Sequence, residues 1–270
     1  MKELTLVLHC KSSSRHCVKF INEDIKLFMF EVLFMIKTAI VLAGGKGLRL
    51  MPFTQDVPKT MINVGGSPLI HWIVDWLIDN RVQRVVIGVD YKKEVIMDYF
   101  KKNKFSVEVL FNDHHGAIGT GDALRLAIEN TDINDSTFLA MNGDELTDLS
   151  IKNFCTFHNE HRPIATLMAC PLRSPYGVMD IDHDFNILAF KEKPVIDDYF
   201  INAGVYLFDK EIISYLPEKG ALEETTFVKL AKIKKIKAYK YFGFWRTIDT
   251  AKDLVSVEEN IKLLKLDGEA

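Results

Sequence analysis

The sequence predicts an α/β protein: a doubly wound, mostly parallel sheet with an antiparallel extension in its second half. Three observations carry that expectation. From Thr38 to about residue 150, apolar β-prone runs alternate with amphipathic helical stretches, the pattern of strand–helix–strand units. Two glycine-rich loops, at Gly44–Gly47 and Gly116–Gly121, each follow such a run. Beyond residue 150 the strand signals crowd together with turn signals between them. With 270 residues, 48% of them hydrophobic and 26% charged, the chain is large enough for one well-buried α/β domain.

The first strand, Thr38–Ala43, stops at Gly44, Gly45 and Gly47. Pro52 and Pro58 punctuate the loop that follows, and Met61–Val64 is a short extended piece. Gly65-Gly66-Ser67-Pro68 reads as a turn, an N-cap and a proline at the first helical position. The helix runs to about Asn80, with Leu69, Ile70, Ile73, Trp76 and Leu77 on one face. Arg84–Val89 is a buried strand, Tyr91–Lys102 a helix with Val95, Ile96 and Tyr99 inward, and Val107–Phe111 a strand. The second glycine loop opens a helix over Ala123–Glu129, and Thr137–Met141 is a buried strand ending at Asn142-Gly143-Asp144. Later strands are expected at Ile164–Cys170, Gly177–Ile181, Ile187–Lys191 and Ala203–Phe208, as an antiparallel or mixed extension of the sheet, and a last helix at about Ala251–Leu264. Residues 1–34 lack this pattern and read as an N-terminal extension outside the core fold, leaving residues 35–270 as the folded domain. Met35 stands directly before the first strand, where an initiator is expected, so the upstream segment reads as a start-codon miscall or else as a short packing or oligomerisation arm.

Composition removes several classes of function. The net charge of −3 gives no electrostatic footprint for nucleic acid. In the Lys-rich run from Lys229 to Lys240, Leu230, Ile233, Ile236 and Tyr239 are interleaved with the lysines, which describes the solvated face of a helix and strand. Cys10, Cys17, Cys155 and Cys170 lack metal-ligand spacing, as does the doubled pair His9-Cys10 and His16-Cys17. Cys155 and Cys170 lie in apolar surroundings and read as small buried hydrophobes. A reducing cytosol, hence a cytoplasmic location, is expected. The most apolar stretch, Leu27 to Ile36, is short and carries Glu31, and Leu4–Leu8 is too short for a signal-peptide core. Neither a membrane nor a nucleic-acid partner is expected.

The first glycine loop points to phosphate chemistry. A buried strand that empties into such a loop exposes backbone N–H groups at the carboxyl edge of a sheet, and Arg49 and Lys59 follow on loops broken by prolines. The P-loop pattern fails, because Gly45-Lys46 is followed by Gly47 and position 40 is Ile. The dinucleotide pattern G-x-G-x-x-G also fails, because Leu50 stands where its third glycine would be. Asp144, just past a buried strand at the same edge, is a natural Mg²⁺ ligand or else a turn cap. Asp249 is the best second carboxylate; from spacing alone, capping the last helix is an equal use for it.

Gly44-Gly-Lys-Gly-Leu-Arg-Leu-Met-Pro-Phe-Thr with Pro58-Lys59 resembles the signature of sugar-1-phosphate nucleotidyltransferases, G-G-x-G-T-R-L-x-P-x-T-x-x-x-P-K. Val64-Gly-Gly-Ser-Pro-Leu-Ile70, Gly119-Thr-Gly-Asp-Ala123, Asn142-Gly-Asp144, Tyr176-Gly-Val178, Glu192-Lys-Pro194, Asn202-Ala-Gly-Val-Tyr206 and Trp245 through Thr250 match in order, so the resemblance covers residue 36 to about residue 260. It implies a GT-A/Rossmann-like fold and a Mg²⁺-dependent reaction of an NTP with a sugar 1-phosphate, giving an NDP-sugar and pyrophosphate. By the same resemblance Leu42, Ala43, Gly44, Gly45 and Gly47 wrap the nucleotide, with Gly119 and Thr120 at the base side. Arg49 binds the leaving pyrophosphate, Lys59 the reacting phosphates, and Lys193 adds a catalytic cation. Asp144 and Asp249 hold Mg²⁺, while Gly177, Glu192 and Asn202 line the sugar-phosphate side.

Leu48 replaces the signature's threonine. The ending Trp-Arg-Thr-Ile-Asp-Thr is similar to that of glucose-1-phosphate cytidylyltransferases, whereas Gly119-Thr-Gly-Asp-Ala-Leu resembles heptose- and mannose-phosphate guanylyltransferases. CTP and GTP both remain open, as do the sugar and a homo-oligomeric state. Two rival readings are a catalytically silent sugar-nucleotide-binding regulator on the same fold, and a nicotinamide-dependent oxidoreductase, against which the missing third glycine counts.

Overall fold

The structure is a computed structural model and describes residues 36–258. The extension expected over residues 1–34 and the last helix beyond residue 258 lie outside them.

Strand β1 (Thr38–Leu42) is flanked on both sides by parallel neighbours, β4 (Arg84–Val89) and β6 (Thr137–Asn142). β5 (Glu108–Asp113) continues the parallel half beyond β4. On the other side β11 (Val195–Asp209) pairs antiparallel with β6, and β8 (Ala165–Arg173) pairs antiparallel with β11. β12 (Ile236–Lys240) lies parallel to β8 at the edge. The sheet therefore has seven strands in the order β12-β8-β11-β6-β1-β4-β5, and β11 alone runs against the others. The extension is mixed, and its reversal is confined to that strand.

Period-two alternation divides the strands between two cores. Val41, Ile87, Met141 and Val205 face α1 (Leu69–Asp79) and α4 (Ile151–His161). Ile40, Val86, Ala140 and Tyr206 face α3 (Thr120–Asn130) and α5 (Thr226–Lys232). Each of the buried branched side chains contributes about 1.5–3 kcal/mol by leaving water. On α2 (Lys93–Lys102) only Ile96 is buried; Val95 and Tyr99 are half-buried.

Three elements differ from expectation. Val178–Ile181 (β9) and Ile187–Lys191 (β10) pair only with each other and stand outside the sheet. Asp182 closes their turn by accepting hydrogen bonds from the Asp184 and Asn186 N–H groups, so the segment folds back on itself. Ser67–Pro68 (β3) pairs with Asn63–Val64 (β2), which moves Pro68 from the first helical turn to the cap position. Helix α4 was not anticipated, although Ile151, Phe154, Cys155 and His158 repeat at helical spacing behind Ser150, whose hydroxyl accepts from the Asn153 N–H at 3.3 Å. Helical residues 251–258 begin the expected last helix.

The fold positions one edge. β1, β4, β5 and β6 are parallel, so their carboxyl ends, near Leu42, Asp90, His114 and Asn142, converge on the same side. In open α/β sheets ligands bind outside that edge.

Candidate active site

A cleft of about 350 Å³ opens at the carboxyl edge. Leu42, Gly44, Gly45, Lys59, Gly119, Thr120 and Asp144 line it, all of them anticipated from the sequence. Ala43 and Gly47 do not. Ala43 is buried and its N–H donates to the Gly88 carbonyl at 2.8 Å. Gly47 takes φ +63, and a Cβ there would lie 2.8 Å from Thr54, so the turn into Arg49 requires glycine.

The polar network centres on Lys59, which is buried. Its Nζ donates to Asp144 Oδ2 at 2.5 Å and to Asp249 Oδ1 at 2.6 Å. Arg49 donates to the same Asp249 oxygen at 2.9 Å, with its side chain 74% exposed and free to turn toward a ligand. Burial lowers the Lys59 pKa, but the charges and hydrogen bonds of Asp144 and Asp249 more than offset it, so the ammonium is held above its ordinary value. Lys59 therefore stays charged at neutral pH.

Local structure explains why both acids are available. Asp144 lies in the two-residue link between β6 and β7 (Glu145–Thr147), and its backbone carbonyl accepts from the Ile248 N–H at 3.1 Å. β7 pairs with β13 (Trp245–Thr247), and that pairing delivers Asp249 to the same point. The last helix is capped without Asp249. Asp253 accepts from the Asp249 and Thr250 N–H groups, and the Thr250 hydroxyl accepts from the Asp253 N–H. Capping is thus excluded as the use of the Asp249 carboxylate. Two acidic oxygens converging on one point, beside a phosphate-sized cleft, are a donor set that suits a hard divalent cation. Among the described residues no cluster of three or more His, Cys, Asp and Glu is placed to hold a metal.

Glu145 follows Asp144 in the chain but is chemically different. It is buried, and its Oε2 has no partner. Burial first, and the Asp144 charge second, push its carboxyl well above the usual carboxylate range, which favours its protonated form.

His114, Asp90, Thr60 and Asn142 also line the cleft. They were missed as site residues, although Asp90 and His114 sit just past strand ends, the signal that singled out Asp144. His114 is buried, its Nδ1 lacks a partner, and burial holds its pKa below the ordinary value, so it is neutral. Its ring occupies the space above two glycines: a Cβ on Gly44 would stand 2.2 Å from Nε2, and one on Gly88 2.9 Å from Nδ1. Gly44 therefore makes room for a neutral imidazole at the cleft wall. Gly119 is glycine for another reason, since a Cβ there would lie 2.4 Å from the Gly220 backbone. Its N–H is held by Asp122 at 2.8 Å, which closes the loop.

Gly177, Glu192 and Lys193 gather at the base of the β9–β10 hairpin. A Gly177 Cβ would stand 3.0 Å from Glu192 Oε2, and Lys193 pairs with Glu192 at 3.2 Å. No hydrogen bond or ion pair among the described residues joins these three to Lys59, Asp144 or Asp249. Asn202 is exposed on β11, with Nδ2 donating to Tyr206 Oη at 2.9 Å. Leu48 is 73% exposed in a 3₁₀ turn, and nothing in the structure explains its place in the signature.

Known proteins are similar to this chain. The chain is 34% identical over 237 residues to the bifunctional protein GlmU of Methanococcus aeolicus, covering 85% of this chain and 56% of that one. It is 31% identical to the mannose-1-phosphate guanyltransferase of Candida albicans, covering 80% of this chain and 62% of the other. It thus spans just over half to about three fifths of the length of these curated relatives. The crystal structure of HddC from Yersinia pseudotuberculosis complexed with GMP-PN superposes with a TM-score of 0.65 at 28% identity, covering 84% of this chain and 100% of that one. The family described as Nucleotidyl transferase matches residues 38–262, the whole seven-stranded sheet and both acids, and the chain belongs to that family.

Proposed function

We propose that the protein transfers a nucleoside monophosphate from an NTP to a sugar 1-phosphate, forming a nucleotide sugar for glycan precursors and releasing pyrophosphate. The observation that carries this reading is the single ammonium of Lys59 joining Asp144 and Asp249 at the mouth of the cleft. Membership of the family and the names of the relatives support it. The two bases left open by the sequence are ranked by those names: a guanyltransferase and a GMP-PN complex favour GTP over CTP.

A sugar phosphate is already an anionic nucleophile at neutral pH, so the reaction requires no general base. One of its oxygens bonds to the α-phosphorus as the bond from that phosphorus to the pyrophosphate oxygen breaks. The barrier lies in bringing two anions together and aligning them, and preorganised cations lower it. Lys59 is fixed by two acids, and Arg49, exposed and paired with Asp249, reaches the leaving pyrophosphate. Asp144 and Asp249 would hold Mg²⁺, which supplies charge neutralisation on the polyphosphate. Lys193, Glu192, Gly177 and Asn202 bind the sugar phosphate in this reading. No helix among the described residues is long and apolar enough to cross a membrane.

Replacing Lys59 by alanine is expected to lower kcat by about 10²–10³-fold, the scale of losing one preorganised charge-stabilising donor. Steady-state pyrophosphate release measures it, and a Lys59→Ala protein with unchanged turnover refutes the assigned role.

A further inference from the structure

Thr120 and Asn202 belong to opposite halves of the substrate, yet the structure joins them through side chains that the reaction itself does not use. Asn202 Nδ2 donates to Tyr206 Oη at 2.9 Å, and Tyr206 Oη donates to Glu223 Oε1 at 3.4 Å. From the other side the Leu222 N–H donates to Thr120 Oγ1 at 2.9 Å, and Thr120 Oγ1 donates to Glu223 Oε2 at 2.8 Å. The Gly204 N–H donates to Asn202 Oδ1 at 3.2 Å and anchors the far end. Donors run inward along both arms, so a residue with two acceptor oxygens is needed where they meet, and a carboxylate is the side chain that offers them.

The arms differ in rigidity. Tyr206 is fully buried on β11 and stacks on Phe208 with ring centroids 5.6 Å apart, so its hydroxyl is a fixed point. Thr120 begins α3, and its loop is locked to the loop ahead of α5: the Gly121 N–H donates to the Gly220 carbonyl at 3.0 Å. The segment carrying Glu223 therefore touches the nucleotide side directly and the sugar side through Tyr206. A shift of either substrate-facing residue changes the hydrogen bonds available to the other.

We propose that Glu223 is a positioning residue that couples the two substrate subsites, so that the Thr120 hydroxyl at the nucleotide side helps to set the affinity for the sugar phosphate through Glu223, Tyr206 and Asn202. The coupling rests on the reading of Thr120 and Asn202 given above, and it is reciprocal, as any linkage between two ligands is.

The test compares variants of the full chain by pyrophosphate release. Thr120→Val removes the hydroxyl and keeps the shape. At saturating NTP it should raise the KM for sugar phosphate about fivefold, the scale of one hydrogen bond lost, although Thr120 faces the nucleotide. In a Glu223→Ala background the same change should raise that KM less than about twofold, because the link is already cut. Tyr206→Phe breaks the relay on the opposite side and should abolish the effect equally, and Glu223→Gln, which keeps the shape but only one acceptor oxygen, should weaken it as well. A structural defect would lower kcat and melting temperature without this dependence on background. An unchanged sugar-phosphate KM in Thr120→Val, or an equal change in all backgrounds, overturns the coupling alone. Absence of turnover in the unaltered protein instead overturns the reading of the site on which the coupling rests.

Discussion

Lys59 is held by two acids that lie 85 and 190 residues away in sequence, so its role depends on the whole sheet being assembled. Its neighbour Glu145 carries a consequence for stability. In the unfolded chain a glutamate ionises above about pH 4.3. Folding buries Glu145 protonated, so above that pH folding takes up a proton and stability falls as pH rises toward the raised folded value. Glu145→Gln, which mimics the protonated acid, should therefore melt higher than the unaltered protein at neutral pH, by a margin that widens with pH. Thermal melts across pH measure this, and a margin that narrows with pH contradicts it. The loop cations and Asp144 were legible because strand ends and glycine loops mark them. Asp249 was ambiguous in sequence between metal and cap. The spacing Thr250-x-x-Asp253 supplies the cap and frees Asp249, a local pattern that was present in the chain. Glu223 was not legible, because nothing local marks a carboxylate on which two distant hydroxyls converge.

At the scale of elements, the parallel half of the sheet was readable because each of its strands is a continuous apolar run bounded by turns. The β9–β10 hairpin was misplaced for a physical reason. Met179, Ile187 and Phe190 have strand propensity, but propensity does not say whether a strand joins the sheet, and here these residues are exposed. Helix α4 was overlooked although its spacing is regular, and it carries the fold's clearest acid sensitivity. His158 is buried against β8 with Nδ1 2.8 Å from Thr166 Oγ1. Burial, only partly offset by Asp209, pulls its pKa from 6.5 to about 4. The unfolded chain takes up a proton on this histidine below about pH 6.5 and the folded chain does not, so stability is lost as pH falls toward about 4. The loss reaches about 3 kcal/mol, at about 1.4 kcal/mol per pH unit. His158→Gln should flatten this acid limb of the melting profile, and an unaltered limb contradicts the assignment.

At the scale of the molecule, the chain places one cleft, one bridged acidic pair and two glycine loops at a single sheet edge. The cysteines among the described residues take no part: Cys155 and Cys170 are buried thiols, each pushed up to about 12 by burial. Family membership supports the transferase reading, and base and sugar depend on pocket contacts, where one hydroxyl discriminates between substrates. The most direct measurement is pyrophosphate release with Mg²⁺ from a matrix of ATP, CTP, GTP, UTP and dTTP against glucose, mannose, heptose and N-acetylglucosamine 1-phosphates. The expected result is release from at least one pair, strongest with GTP, and lost in Lys59→Ala. No release from any pair would contradict the transferase reading and leave a silent sugar-nucleotide-binding regulator in its place.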